Sequence, residues 1–182
     1  MSIKYAILGI LSWKPSTGYD LKKIFEESSA MYWSGNNNQI YKTLVQLLKE
    51  GLVTNEVHHQ ESSPSKKVYN ITSEGLAQLR QWTLSSPEAP ELKKTFLIQL
   101  AWSDRLNADE LDGILTGYEN EVRMQLLMQQ EKHRRGLYYP NRTPREIYLW
   151  NMINENIISS YESELDWVRK IRKELSVNGK SF

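Results

Sequence analysis

Residues 36–53, NNNQIYKTLVQLLKEGLV, decide the fold of the first half of the chain. Apolar residues recur at spacings of three and four between Ile40 and Leu48, which predicts an amphipathic helix with one buried face. Gly51 follows at a position where a residue in the left-handed conformation commonly ends a helix. We therefore predict a helix over 36–50. Its N-terminus carries four side-chain amides: Asn36, Asn37, Asn38 and Gln39.

Two shorter amphipathic segments precede this helix. The first is expected from about Ile3 to Leu11, where apolar residues again fall on one face. The second follows Pro15, and its start is marked by Thr17 and Asp20, which have the spacing of an N-terminal capping box. The sequence thus predicts three consecutive short helices.

The sequence pattern changes after the third helix. β-Branched residues are frequent in 52–57 and again in 67–72, whereas the intervening residues 58–66 are polar and include Pro64. This pattern predicts a two-stranded β-hairpin with a polar loop, and Thr72 then caps a further helix. Three helices, a hairpin and a helix, in this order, are typical of a winged helix–turn–helix domain.

The four amides stand where such a domain contacts DNA bases. Its third helix lies in the major groove, and its hairpin touches the adjacent backbone or minor groove. Asparagine and glutamine present a donor beside an acceptor, which matches the edge of adenine in the major groove. Asparagine is also a favoured N-cap, so we expect one of the three to cap the helix instead. The pattern leaves open which one.

Five further residues are candidates for the DNA backbone. Tyr41 and Lys42 follow the amides on the outward side of the helix, and both side chains suit phosphate oxygens. Ser65, Lys66 and Lys67 lie beside the polar tip of the hairpin and are expected to hold phosphate as well. Alternatives remain, because Tyr41 could pack within the domain and lysines on an edge strand also discourage aggregation.

The segment SSPEAP at 85–90 has two prolines and no large apolar residue, so we place a domain boundary there. The first domain then covers residues 1–85 and the second covers residues 91–182. The second is predicted to be helical. Its last helix opens at Thr143, and its apolar stripe lasts about thirty residues, or ~45 Å. That stripe is too long for one domain to bury, so we expect it to meet a partner chain.

Composition argues against several classes of site. The chain of 182 residues has no cysteine, and its three histidines lack the spacing of metal ligands. It shows none of the nucleophile, paired-carboxylate or phosphate-loop motifs of enzymes. We therefore expect no enzyme, no cofactor and no metal. The apolar segment 5–13 is too short to cross a membrane, so we expect no membrane association. The lack of cysteine suits a reducing compartment, so we expect a cytoplasmic location.

Three segments resemble the PadR family of bacterial transcriptional regulators: ILGILSWKPSTGYDLKKIF at 7–25, QIYKTLVQLLKEGLV at 39–53 and SKKVYNITSEG at 65–75. They occur in the order and at the separations of that family. The junction SSPEAP…LKKTFLIQLAW is similar to the phenolic-acid-responsive repressors of the family. Lys42 stands where many members have proline, alanine or serine, and Ile71 replaces a frequent leucine.

The resemblance implies a mostly α-helical protein in which a C-terminal helical dimerisation domain follows the N-terminal winged helix–turn–helix. It also implies a homodimer, joined through C-terminal helices, that represses a promoter by binding double-stranded operator DNA. Members of the family release DNA when a small molecule binds, in several cases an aromatic or phenolic one. Candidate effector contacts are Trp33, Phe96, Trp102 and Trp150. Tryptophans at helical spacing are more often core residues, and a winged-helix module that binds proteins instead of DNA is the alternative function.

Overall fold

Two compact units make up the structure, a computed structural model. It describes residues 3–28, 37–60, 63–90, 94–136 and 143–178. The first unit covers Met1–Glu88 and the second covers Ala89–Phe182. The described residues are mostly helical and include one small antiparallel sheet, which confirms the predicted fold class.

The described part of the N-terminal unit contains four helices and three strands. Their order is α1 (Ile3–Trp13), β1 (Ser16–Thr17), α2 (Gly18–Glu27), α3 (Asn37–Lys49), β2 (Val53–Gln60), β3 (Ser63–Ile71) and α4 (Ser73–Thr83). The three short helices expected from the sequence are therefore present. The bounds of α3 differ by one residue at each end from the helix predicted over 36–50.

The apolar stripes of the first three helices form the core of this unit. Their side chains are almost fully buried: Ile7, Leu8 and Leu11 on α1, Leu21, Ile24 and Phe25 on α2, and Ile40, Leu44 and Leu47 on α3. Each set repeats at spacings of three and four, so its members lie on one side of their helix. Removing these side chains from water is the main force that holds the three helices together.

A capping box fixes the start of α2. The Asp20 N–H donates to Thr17 Oγ1 over 3.1 Å, and the Thr17 N–H donates to Asp20 Oδ2 over 2.9 Å, as the spacing predicts. Burial raises the pKa of the Asp20 carboxyl, but the bonds from Thr17 and the charges of Lys14 and Lys66 outweigh burial. The pKa of Asp20 therefore lies below its usual value, and the carboxylate is charged at neutral pH.

The glycine turn that ends α3 is also present. Gly51 has a φ of 69°, in the left-handed region that favours glycine. Its N–H donates to the Leu48 carbonyl over 3.1 Å, and the Leu52 N–H donates to the Leu47 carbonyl over 2.9 Å. These two bonds form a Schellman motif, which satisfies the last carbonyls of α3 and directs the chain into β2.

The sheet differs from the predicted two-stranded hairpin in two respects. First, β1 pairs with β3, so the strand order is β1-β3-β2; a strand of two residues is too short to give a sequence signal. Second, β2 reaches Gln60 and β3 begins at Ser63, so most of the expected loop is strand. Pairing across the hairpin satisfies the backbone of these polar residues. The hairpin of β2 and β3, called the wing below, is therefore longer than predicted.

The described part of the C-terminal unit contains three helices and a 3₁₀ turn. They are α5 (Thr95–Ala101), the turn (Ser103–Arg105), α6 (Ala108–Arg135) and α7 (Pro144–Asn178). A capping box begins α6, with Asn107 and Glu110 exchanging two bonds of 2.9 Å. Thr143 Oγ1 accepts a bond of 3.1 Å from the Glu146 N–H, so it caps α7 as expected.

Helices α6 and α7 are antiparallel, because the start of α6 contacts the end of α7. The buried centre of their shared core consists of Phe96, Leu115 and Val168. The ring of Phe96 stacks on Tyr118 with 3.7 Å between centroids, and it meets Trp167 edge-on at 6.3 Å. Phe96 thereby anchors α5 to both long helices.

A buried carboxylate links α6 to α7. Glu119 is 6% exposed, and it accepts bonds of 2.6 Å from Arg123, 3.3 Å from Arg169 and 2.8 Å from Arg172. The bond from Arg172 contributes most to a pKa of Glu119 below its usual value; burial opposes this effect, and the other two arginines reinforce it. Arg172 also contacts Asp112 at 3.0 Å. Charge pairing thus ties the two helices together beside their apolar core.

The apolar stripe of α7 is buried over only part of its length. Leu165 and Val168 are almost fully buried against the rest of the unit. Closer to the N-terminus of α7, large apolar side chains are exposed, and others are exposed on α6. They are Ile147, Tyr148, Leu149, Met152 and Ile153 on α7, and Met124, Leu127 and Met128 on α6. We call these eight residues the exposed apolar residues of α6 and α7.

Candidate nucleic-acid interface

The outward face of α3 lies opposite its buried stripe. It consists of Asn38, Lys42, Val45 and Lys49, which follow one another at spacings of four, three and four and are all exposed. Gln39 is also exposed, in the first turn of the helix. This face therefore presents an amide at its start and two lysines further along, as expected for a helix that enters a DNA groove.

A groove of about 780 Å³ lies between the start of α2, the middle of α3 and the wing. Its lining includes Gly18, Tyr19 and Asp20 from α2, Tyr41 and Val45 from α3, and Lys66, Lys67 and Tyr69 from β3. The structure thus brings together three residues that were predicted from separate segments, namely Tyr41 on the helix and Lys66 and Lys67 on the wing.

A glycine determines where the ring of Tyr41 lies. A Cβ atom at Gly18 would be 2.5 Å from Tyr41 Cε1, so only glycine allows the ring to lie against the start of α2. The phenol of Tyr69 lies nearby, and burial raises its pKa, although a hydrogen bond to Asn55 lowers it in part. Tyr41 itself is half exposed. It therefore packs within the unit along part of its ring and faces solvent with the remainder.

The wing lysines lie within a paired strand. Lys66 is opposite His58 and Lys67 is opposite Val57 in the antiparallel register, and both lysines are exposed. They were predicted to lie beside the polar tip of the hairpin, but β3 already begins at Ser63. Pairing with β2 gives their backbone a fixed conformation, which a loop would not provide.

Four of the predicted residues lie wholly or partly outside the part of the chain that the structure describes. Trp33 and Asn36 lie outside the described residues. The same holds for the side chains of Asn37, which begins α3, and of Ser65 in β3. Their predicted roles stay predictions.

Tyr19 and Val45 also line the groove, although the sequence did not indicate them as candidate residues. Tyr19 is 69% exposed beside the start of α2, and Val45 is 50% exposed on α3. Val45 is apolar but does not share the spacing of the buried residues of its helix. This difference is the one sequence signal that indicates the position. Tyr19 gives no such signal, because its nearness to the wing depends on the pairing of β1 with β3.

The candidate effector residues have different surroundings. Phe96 is buried in the core of the C-terminal unit, whereas Trp102 is 80% exposed and Trp150 is half-buried. Phe96 and Trp102 therefore face in different directions from the same short segment. The role of each as an effector contact stays a prediction.

Neither a metal cluster nor a membrane span is found in the described part of the chain. Among the described residues, no group of three or more histidine and acidic side chains could hold a metal ion. No helix in the described part of the chain is long and apolar enough to span a membrane.

Three packed helices, an antiparallel wing and a fourth helix define a winged helix–turn–helix protein. Residues 7–81 match the model of the transcriptional regulator PadR-like family. Residues 7–81 are therefore similar to this family, whose members are transcriptional regulators and not enzymes.

Relatives of this chain are known in sequence and in structure. It is 33% identical over 113 residues to the negative transcriptional regulator PadR of Bacillus subtilis. That match spans 62% of each chain, which is less than two thirds of the length of the curated relative. The PadR-like transcriptional regulator BC1756 of Bacillus cereus has a TM-score of 0.77 at 26% identity, with 96% of both chains covered.

Crystal structures of the Bacillus subtilis protein with two ligands share the fold of this chain. Its complex with operator DNA has a TM-score of 0.80 at 24% identity, and it covers 93% of this chain and 96% of that one. Its complex with p-coumaric acid has a TM-score of 0.78 at 23% identity, and it covers 96% of this chain and 98% of that one.

Proposed function

We propose that this protein is a transcriptional repressor of the cytoplasm that binds an inverted-repeat DNA operator as a homodimer and is released by a small effector. One observation carries the proposal: Tyr41 and Val45 of α3 border the same groove as the two wing lysines. A helix in the major groove and a wing on the adjacent backbone need that arrangement. The similarity of residues 7–81 to the PadR-like regulators supports it.

In this proposal the N-terminal turn of α3 contacts bases. The side chains of Asn36, Asn37, Asn38 and Gln39 provide the paired donors and acceptors that suit adenine. The backbone N–H groups at the same end of the helix attract a phosphate. Tyr41 and Lys42 bind backbone phosphates, which fixes the register of the helix on the duplex.

The wing would hold the DNA backbone next to the major groove. Ser65, Lys66 and Lys67 lie on β3, and the two lysines are exposed on the groove that Tyr41 also borders. Lysine contacts to phosphate release counterions and do not depend on sequence. The wing would therefore add affinity, and α3 would provide most of the specificity.

Dimerisation would use the C-terminal unit. The exposed apolar residues of α6 and α7 are too many and too large to remain in water without cost, because burying each such side chain stabilises by about 1.5–3 kcal/mol. A second copy presents the same residues about a two-fold axis, so one surface would cover the other. Two N-terminal units would then contact two half-sites.

The direction of regulation and the effector are inferred from relatives. The Bacillus subtilis relative is a negative regulator and was crystallised with p-coumaric acid. We propose repression and an aromatic or phenolic effector on this basis. The candidate contacts remain Trp33, Phe96, Trp102 and Trp150, of which Trp102 is the most accessible among those described.

Specific binding is tested with DNA from the region upstream of the gene and with random duplexes of equal length. We expect the upstream DNA to be bound by two chains per site and at least a hundredfold more tightly than random DNA, as specific regulators do. Affinity should fall steeply as salt rises, since phosphates are neutralised. Gel retardation measures affinity, and analytical ultracentrifugation measures stoichiometry. Equal binding of both DNAs at every salt concentration would contradict the proposal.

Lys66→Ala should weaken binding to every DNA sequence by a similar factor. Each lost phosphate contact should reduce the slope of log affinity against log salt by about one. Lys170→Ala is the matched control, because Lys170 is exposed on α7 and pairs only loosely with Glu174, at 3.9 Å. The control slope should equal that of the wild type. If Lys66→Ala keeps the wild-type slope of log affinity against log salt, Lys66 does not contact a phosphate.

A further inference from the structure

Val45 is an apolar side chain in the middle of the outward face of α3. The buried stripe of the helix is complete without it, because Ile40, Leu44 and Leu47 fill the core. Val45 points the other way and is half exposed, between Lys42 and Lys49 in the outward row. Folding of the unit therefore gives no reason for an apolar residue at this position.

Valine is also a poor choice for a solvated helix surface. Its branched Cβ restricts the side chain and lowers helix propensity relative to alanine, lysine or glutamine. Tyr41 lies one turn before Val45, and both residues border the groove that Lys66 and Lys67 enclose from the wing. The two methyl groups of Val45 thus lie on a helix face that otherwise carries an amide and two lysines, beside a groove that also contains the rings of Tyr19 and Tyr41.

We infer that Val45 contacts the C5-methyl group of a thymine in each half-site of the operator. That methyl is the one apolar group that base edges present in the major groove, and small apolar side chains contact it. The inference rests on the proposed function, because α3 must lie in the major groove. It adds a specificity-determining residue beyond the amides and lysines already assigned.

The geometry of α3 indicates where the thymine lies. Val45 is seven residues after Asn38 on the same row, which corresponds to about 10 Å along the helix axis. Base pairs are about 3.4 Å apart. The thymine should therefore lie roughly three base pairs from the base that the first turn of α3 contacts.

The inference is tested by removing the methyl group from the thymine, or the two methyl groups from Val45. A high-affinity duplex is first selected from a random-sequence library with the full-length wild-type protein. Each thymine is then replaced in turn by deoxyuridine, which pairs identically but lacks the C5-methyl. Wild type and Val45→Ala are titrated against every duplex. Alanine is a better helix former than valine, so the variant should fold.

We expect one thymine, at the same place in both half-sites, whose replacement weakens wild-type binding about fourfold per half-site, as the loss of one buried methyl group predicts. Val45→Ala should distinguish the thymine and deoxyuridine forms of that duplex less than the wild type does, because truncation removes both γ-methyl groups that reach the base. Leu76→Ala removes a similarly exposed apolar residue from α4, and it should show the wild-type preference.

Two results would overturn the inference. One is a wild-type protein that tolerates deoxyuridine at every position, or a selected site without thymine near the predicted place. The other is a deoxyuridine effect that persists undiminished in Val45→Ala, which would assign it to DNA shape. Failure of the proposed function would give a different result, because the wild type would then select no duplex over random DNA.

Discussion

Gly75→Ala lowers the free energy of unfolding of the N-terminal unit by about 2–3 kcal/mol, the cost of forcing extra volume into a closely packed site. A Cβ atom at Gly75 would lie 2.2 Å from the carbonyl oxygen of Leu52 and 2.8 Å from Ile71 Cγ1. The Leu52 carbonyl cannot move away freely, because it accepts a 3.0 Å bond from the Thr72 N–H. The start of α4 must therefore separate from the α3–β2 turn.

The loss should appear as a fall in melting temperature of about 10 °C or more for a unit of this size. Calorimetry measures it, and amide hydrogen exchange in α1 and α3 assigns it to this unit. Gly9→Ala is the matched control, because Gly9 lies inside α1 with no atom within 4 Å of a Cβ at that position. Alanine there should stabilise by about 0.5–1 kcal/mol. Destabilisation of equal size in both variants would contradict the packing at Gly75.

Glu119→Gln is expected to destabilise the C-terminal unit by about 2 kcal/mol at neutral pH. Glutamine keeps the shape of the side chain but removes the charge that balances Arg123, Arg169 and Arg172. Breaking a buried ion pair from one side costs about 3–5 kcal/mol. The arginines are partly exposed, so solvent screening reduces this figure. Glu121→Gln is the control, since Glu121 is exposed on the same helix, and it should change stability by less than about 0.5 kcal/mol.

The same substitution should change how stability depends on pH. The pKa of Glu119 in the folded protein lies below the ordinary value of 4.5. The stabilisation that the Glu119 carboxylate contributes is therefore fully present above pH 4.5. It is lost as the pH falls through the lowered pKa of the folded protein. Urea denaturation at several pH values should show the wild type and Glu119→Gln converging as the medium becomes acidic. A constant difference across the whole range would show that charge is not the cause.

Local signals predicted the secondary structure well. The capping pairs at Thr17 and Asn107 work within four residues of chain, so their spacing alone indicates where α2 and α6 begin. The same is true of Gly51, because a left-handed residue ends α3 wherever that helix lies. Repeats of three and four residues indicate which side of each helix is buried. These features depend on neighbours in sequence and therefore can be found without a structure.

The prediction was incomplete where the partner is distant in sequence. β1 forms because Ser16 pairs with Tyr69. A strand of two residues is too short to show the alternating pattern that predicts a strand. The polar segment 58–66 resembles a loop in composition, but most of it pairs across the wing. The exposure of Val45 could be anticipated from its register, whereas its position in the groove with Lys66 could not.

The sequence by itself determined the order of helices and hairpin, the buried faces, the helix ends and the resemblance to a family of regulators, since each depends on residue type and short spacing. Only the tertiary structure decided that Gly18 makes room for the ring of Tyr41, and that Gly75 lies against the Leu52 carbonyl. It also decided that one carboxylate, Glu119, forms ion pairs with three arginines on two helices. Contacts of this kind depend on how separate elements approach in space, and packing of the cores sets that approach.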